Sequence, residues 1–109
     1  MDFKLKVRDI LDGLTIIHVE GEVDIGTVNQ LLAEIDGIKQ QTVVLDFNKV
    51  TFIDSTGIGL LVRKIMEFRE EGRNLKLRSL PDIIYEILDE MGIFEALGDL
   101  EEGNAHENK

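Results

Sequence analysis

The chain contains no cysteine and no tryptophan, one proline, and few aromatics. Without thiols there is no disulfide framework, no thiolate metal site and no cysteine nucleophile, so the core must hold by burial alone. Cations are also scarce: 12 Lys+Arg stand against 22 Asp+Glu, a formal net charge of -10. That excess repels a phosphodiester backbone or an anionic bilayer, which disfavours nucleic acid as a direct partner, and it favours a partner surface rich in Arg and Lys. No run approaches the ~18 consecutive apolar residues of a membrane-spanning helix. The opening Met1-Asp2-Phe3-Lys4 lacks the basic-then-apolar order of a secretory signal, so no membrane insertion and a cytoplasmic location are expected.

What is present is enough for one compact domain: 109 residues, 43% of them hydrophobic. Phe3, Leu5 and Val7 alternate with Lys4, Lys6 and Arg8, the period of a half-buried strand. Asp12-Gly13 marks a tight turn into a β-branched run, Leu14 to Glu20, which predicts an antiparallel hairpin closed by Gly21. From Thr27 the period changes. Val28, Leu31, Leu32 and Ile35 trace the buried stripe of an amphipathic helix ending near Gly37.

Thr42 to Phe47, with Val43-Val44-Leu45, reads as a central strand, followed by a loop containing Asn48, Lys49 and Thr51. Ile58, Leu61, Val62, Ile65 and Phe68 predict a second helix stopped by Gly72, and Leu75 and Leu77 a short strand. Pro81 suits a helix start, with Ile83, Ile84, Ile87, Leu88 and Met91 as its apolar stripe. The expected fold is therefore α/β: a mixed, mostly parallel sheet with an N-terminal antiparallel hairpin and amphipathic helices packed on it. Residues 1–100 form the domain and 101–109 read as a polar, frayed tail.

The segment Asp54-Ser55-Thr56-Gly57-Ile58-Gly59 stands where the second helix begins. Asp54 or Ser55 is suited to N-cap it. Gly57 and Gly59 each lower helix propensity by about 1 kcal/mol relative to Ala, a choice that makes sense where another backbone comes close. A hydroxyl at a helix N-terminus is a favourable place for a phosphate, since exposed N–H groups and the helix dipole both accommodate anionic charge. Ser and Thr before an apolar helix are also ordinary caps, and the residues alone leave both readings open.

The longer string Val43-Val44-Leu45-Asp46-Phe47 with Val50-Thr51-Phe52-Ile53-Asp54-Ser55-Thr56-Gly57-Ile58-Gly59 resembles the signature of STAS-domain anti-sigma factor antagonists. Gly21-Glu22-Val23-Asp24, followed by Thr27 and Leu31, resembles that family's other recognisable stretch. The resemblance implies a bacterial partner-switching protein that is not an enzyme and needs no cofactor. Its partner is an anti-sigma factor that is also an ATP-dependent serine kinase, and a phosphatase restores it. By that resemblance Ser55 matches the phosphorylated serine and Thr56 the neighbouring hydroxyl position. Asp24 and Asp54 match acidic residues of the binding surface, with Gly57 and Gly59 beneath it. Relatives often carry a further helix after the position of Phe94, where here only Glu95 to Leu100 offers a short turn.

Other chemistries find less support. Ser55 as a nucleophile lacks a base: His18 falls in a strand, His106 in the tail, and no Gly-x-Ser-x-Gly elbow surrounds it. Asp9, Asp12, Asp24, Asp46 and Asp54 lack the spacing of a calcium loop, so no metal ligands are assigned. STAS domains also serve as scaffolds of signalling assemblies or as subunits of lipid-transport complexes, the alternative role this sequence leaves open.

Overall fold

The computed structural model describes residues 2–98 and 100–102. The chain runs β1 (Lys4–Leu11), β2 (Leu14–Val23), α1 (Val28–Asp36), β3 (Thr42–Ile53), α2 (Ser55–Glu70), β4 (Asn74–Arg78), α3 (Asp82–Glu90) and α4 (Ile93–Leu97). The sheet order is β1-β2-β3-β4, with β1 antiparallel to β2 and the other pairs parallel. Because the strands advance in one direction across the sheet, two right-handed crossovers place α1 and α2 on the same face. The mixed α/β sheet with its opening hairpin is the architecture that the periodicities predict.

The core lies under that helical face. Alternate residues of the strands, Ile17, Val19, Val43, Leu45, Phe47, Leu75 and Leu77, pack with Val28, Leu31 and Ile35 of α1 and Ile58, Leu61, Ile65 and Phe68 of α2. Ile84 and Leu88 of α3 join the same cluster. The helices are knit at one end by Arg73, whose guanidinium stacks 4.1 Å from the Phe68 ring and donates to the carbonyls of Ile38 and Gln40 at 2.9 and 2.8 Å.

Several boundaries differ from expectation, each for a local reason. Gly21 does not end β2, which continues to Val23. It sits inside the strand at φ +109°, and a Cβ there would meet the Asp2 carbonyl oxygen at 3.1 Å and the Phe3 Cα at 3.2 Å. A glycine within a strand marks such a close approach. Asn48 to Thr51 are not a loop: β3 runs on to Ile53, and register irregularities opposite His18–Glu20 and Gly21–Glu22 absorb the extra residues. That is the work of β-bulges, which break the alternation that sequence reading depends on.

β1 is more exposed than a half-buried strand. Phe3 and Leu5 are partly covered, but Val7 is exposed because β1 is the sheet edge. On α3 only Ile84 and Leu88 are buried, while Ile83 and Met91 face out. After Gly92, α4 packs on α3 through Tyr85 and Phe94, whose rings stack with centroids 4.7 Å apart. Leu100 is fully buried, and Glu101 and Glu102 are tied to β4: the Leu77 N–H donates to the Leu100 carbonyl at 3.1 Å and the Glu102 N–H to the Leu77 carbonyl at 2.6 Å. Residues 103–109 of the expected tail, His106 among them, lie outside the described residues.

Candidate functional site

Two chain segments meet at the C-terminal ends of β2 and β3, the edge of a parallel sheet where ligands and partners ordinarily engage. One is the connection Asp24–Thr27 into α1; the other is Asp54 and the first turn of α2. Val23 pairs with Ile53, so the two connections start side by side. The Asp54 N–H donates to the Val23 carbonyl at 3.1 Å.

Asp54 is the N-cap of α2, in extended conformation at φ -99° and ψ 174°. Its Oδ1 accepts from the Gly57 N–H at 2.7 Å, and its Oδ2 accepts from the Ile25 N–H at 3.3 Å. One carboxylate thus caps the helix and holds the neighbouring loop. Ser55 is the first helical residue, not the cap. Its side chain is exposed, as is Thr56, and the Ser55 hydroxyl makes no hydrogen bond to a described residue.

The second segment closes on itself. The Asp24 carbonyl accepts from the N–H groups of Thr27 and Val28 at 3.1 and 2.8 Å, and the Asp24 Oδ1 accepts from the Gly26 N–H at 2.9 Å. Thr27 Oγ1 donates to the Glu22 carbonyl at 2.6 Å and accepts from the Asp24 N–H at 3.0 Å. These bonds satisfy backbone groups at the start of α1, which has no side-chain cap of its own. They also fix the carboxylate of Asp24 within the loop that Asp54 holds through Ile25.

The two glycines part company. Gly57 is buried, and a Cβ on it would stand 2.8 Å from the Val23 carbonyl oxygen and 3.2 Å from its Cγ1. The close backbone expected here is therefore the chain's own β2. Gly59 is exposed, with open space where its Cβ would be. It shares an outward face with Ser55 and Met66, all three exposed.

Asp54, Ser55, Thr56 and Gly59 thus stand at the start of α2, the Ile25–Asp54 bond brings the loop after Asp24 alongside them, and Gly57 lies beneath as packing. Ile25 and Phe52 also belong to this end of the molecule: 72% and 47% exposed, they are large apolar groups in the segments that enter it. The periodicities assign neither a role at the site, although an isoleucine between Asp24 and Gly26, off any period, is a signal of its own. The scattered aspartates have separate employments. Asp46 takes His18 Nδ1 at 2.7 Å, Asp9 accepts from the Thr15 hydroxyl at 2.8 Å, and among the described residues no three His, Asp or Glu converge as a metal ion would require. No helix among the described residues is long and apolar enough to cross a membrane.

Comparison with known proteins bears on the fold and the family. The chain is 22% identical over 89 residues to the anti-sigma F factor antagonist of Paenibacillus polymyxa, covering 78% of this chain and 76% of that protein. Its fold is that of the anti-sigma factor antagonist SpoIIAA in its unphosphorylated form, with a TM-score of 0.71 at 20% identity over 91% of this chain and 86% of that one. A sulfate transporter family protein from Wolinella succinogenes matches with a TM-score of 0.74 at 26% identity, over 86% and 80% of the two chains. The family model for the STAS domain matches residues 6–105, nearly the whole chain, and this protein belongs to the STAS domain family.

Proposed function

We propose that this chain is an anti-sigma factor antagonist: its unphosphorylated form binds an anti-sigma factor that is a serine kinase, and phosphorylation of Ser55 ends the binding. The observation that carries the reading is the placement of Ser55, an exposed, unbonded hydroxyl on the first residue of α2, directly after the Asp54 cap whose carboxylate also holds the loop that follows Asp24. The similarity to the Paenibacillus antagonist supports the same role. On this reading the domain is a binding switch in the cytoplasm and catalyses nothing itself; a phosphatase restores Ser55.

The switching rests on charge at fixed geometry. A phosphate adds about -1.5 to -2 charges at neutral pH. On Ser55 it would sit beside Asp54 and near Asp24 on a rigid surface, so its charge is presented outward. A partner that docks closely over Gly59 then meets both added bulk and like charge, which weakens binding by orders of magnitude. The helix N-terminus tolerates the phosphate, so the domain stays folded in both states.

The test is incubation with the cognate kinase and ATP, mapping of the phosphate by mass, and titration of variants against that partner. Ser55→Ala should bind constitutively and Ser55→Asp weakly. Phosphate on another residue, or equal affinity of the two variants, would sink the proposal. A second reading, a STAS subunit of a transport or signalling assembly, is favoured by the likeness to the Wolinella transporter protein. It predicts co-purification with membrane-bound subunits and indifference to Ser55 substitution.

A further inference from the structure

We propose that the helix-free face of the sheet, along β1, binds an extended acidic segment of a partner polypeptide, at a site separate from Ser55. The strand register fixes what this face presents. Lys4 stands opposite Glu20, Lys6 opposite His18 and Arg8 opposite Ile16; His18 then pairs across with Asp46, and Asp46 with Arg78. A groove of about 620 Å³ opens here, lined by residues of β1, β2 and β3, among them Lys4, Lys6, Arg8, His18, Asp46 and Lys49. Its volume falls in the range of sites that hold a ligand.

Charge on this face runs against the rest of the molecule. Acids outnumber bases 22 to 12, so partners for every cation are in surplus. On the helical side most are used: Lys64 pairs with Asp36 and Glu67, Arg63 with Glu67, and Arg73 with Glu71, and the exposed Lys39 stands alone there without an ion pair to a described residue. Among the described residues, Lys4, Lys6, Arg8, Lys49 and Arg78 make no ion pair. Residues 79–102, by contrast, carry acidic side chains and no lysine or arginine. Cations left unmatched together, in a chain rich in carboxylates, are placed for an anion from outside.

The spacing selects the class of anion. Lys4, Lys6 and Arg8 are alternate residues of one strand, about 7 Å apart, which is the side-chain repeat of an extended peptide. A segment acidic at every second residue meets all three, whereas a compact phosphate meets two at most. A bilayer or a duplex extends past the groove onto the acidic remainder of a molecule with net charge -10. Cations on an edge strand also discourage sheet-to-sheet addition. That role does not reach Lys49, which stands on the interior strand β3.

The experiment titrates the full chain with an alternating Glu-Ser peptide of about eight residues, following backbone amide shifts and affinity at low salt. Its comparators are a block peptide of the same composition, inorganic tripolyphosphate and phosphatidylserine vesicles. The alternating peptide should bind tightest, with shifts centred on β1 and on His18 and Lys49. Lys6→Glu should weaken it about tenfold, while Lys39→Glu, an equal charge change off this face, should leave it within about twofold. Both positions are exposed, so both variants fold. Equal binding of the block peptide, tighter binding of tripolyphosphate or vesicles, no shift at all, or equal losses in the two variants would each overturn the assignment.

Discussion

The Cα of Gly57 rests against the carbonyl of Val23 so closely that a Cβ at position 57 would stand 2.8 Å from that oxygen, while two residues on, Gly59 faces open space. The same substitution should therefore have opposite signs at the two positions. Gly57→Ala must push α2 off the end of β2 and is expected to cost about 1–3 kcal/mol. Gly59→Ala, in an exposed helical position, is expected to stabilise by up to about 1 kcal/mol. Urea denaturation of both variants against the parent checks the pair, and destabilisation at both would show that the two glycines do not differ as described.

That contrast marks what the sequence made legible. The hairpin, both crossovers and the helix start at Asp54-Ser55 follow from period and capping residues. Which glycine is needed inside the molecule, and which leaves a surface bare, depends on a contact between residues 23 and 57 that no local pattern encodes. The end of β2 and the length of β3 were hidden for a related reason: bulges opposite His18–Glu20 and Gly21–Glu22 break the two-residue alternation, so Asn48 and Lys49 read as a loop. At the site, Asp24, Asp54 and Ser55 stood out by type and position. Ile25 is marked only as an isoleucine off any period, and its bond to Asp54 uses a backbone N–H that any residue but proline supplies.

Asp54 should be worth more than a cap. Asp54→Ala removes the acceptor of the Gly57 N–H and also releases Ile25, at a cost of about 1–2 kcal/mol. Asp54→Asn keeps one acceptor and should cost less. Hydrogen exchange separates the two roles: the Ile25 amide is expected to exchange faster in Asp54→Ala than in the parent, beyond what the loss of global stability accounts for.

Lys64 links the two crossover helices, with its Nζ 2.8 Å from both Asp36 Oδ1 and Glu67 Oε1. The hydrogen bond to Asp36 first, and that to Glu67 next, raise its pKa above the ordinary value of 10.5. A group whose pKa is raised by folding contributes stability below its unfolded value and loses it as pH climbs through the folded one. The difference in melting between the parent and Lys64→Met should thus be constant from neutral pH to about 9 and begin to shrink only near 10.5, as pH climbs toward the raised pKa of the folded state. Its size should be modest, about 0.5–1 kcal/mol, because the carboxylates are solvated.

The segment after α4 is held by burial of Leu100 and by its exchange of hydrogen bonds with Leu77. Leu100→Ala should cost about 2–4 kcal/mol, as for a core leucine, and should expose the chain beyond α4 to limited proteolysis. A cost below about 0.5 kcal/mol would mean the segment contributes little to the fold.

The gathering of unpaired cations along β1, on the helix-free face, and of acidic charged residues alone on α3 and α4 gives the molecule an electric dipole moment as well as a net charge. A charged partner then experiences a torque at distances beyond contact, and it arrives already turned toward one side. Association rates, more than equilibrium affinities, should bear the imprint of that asymmetry and fade with added salt.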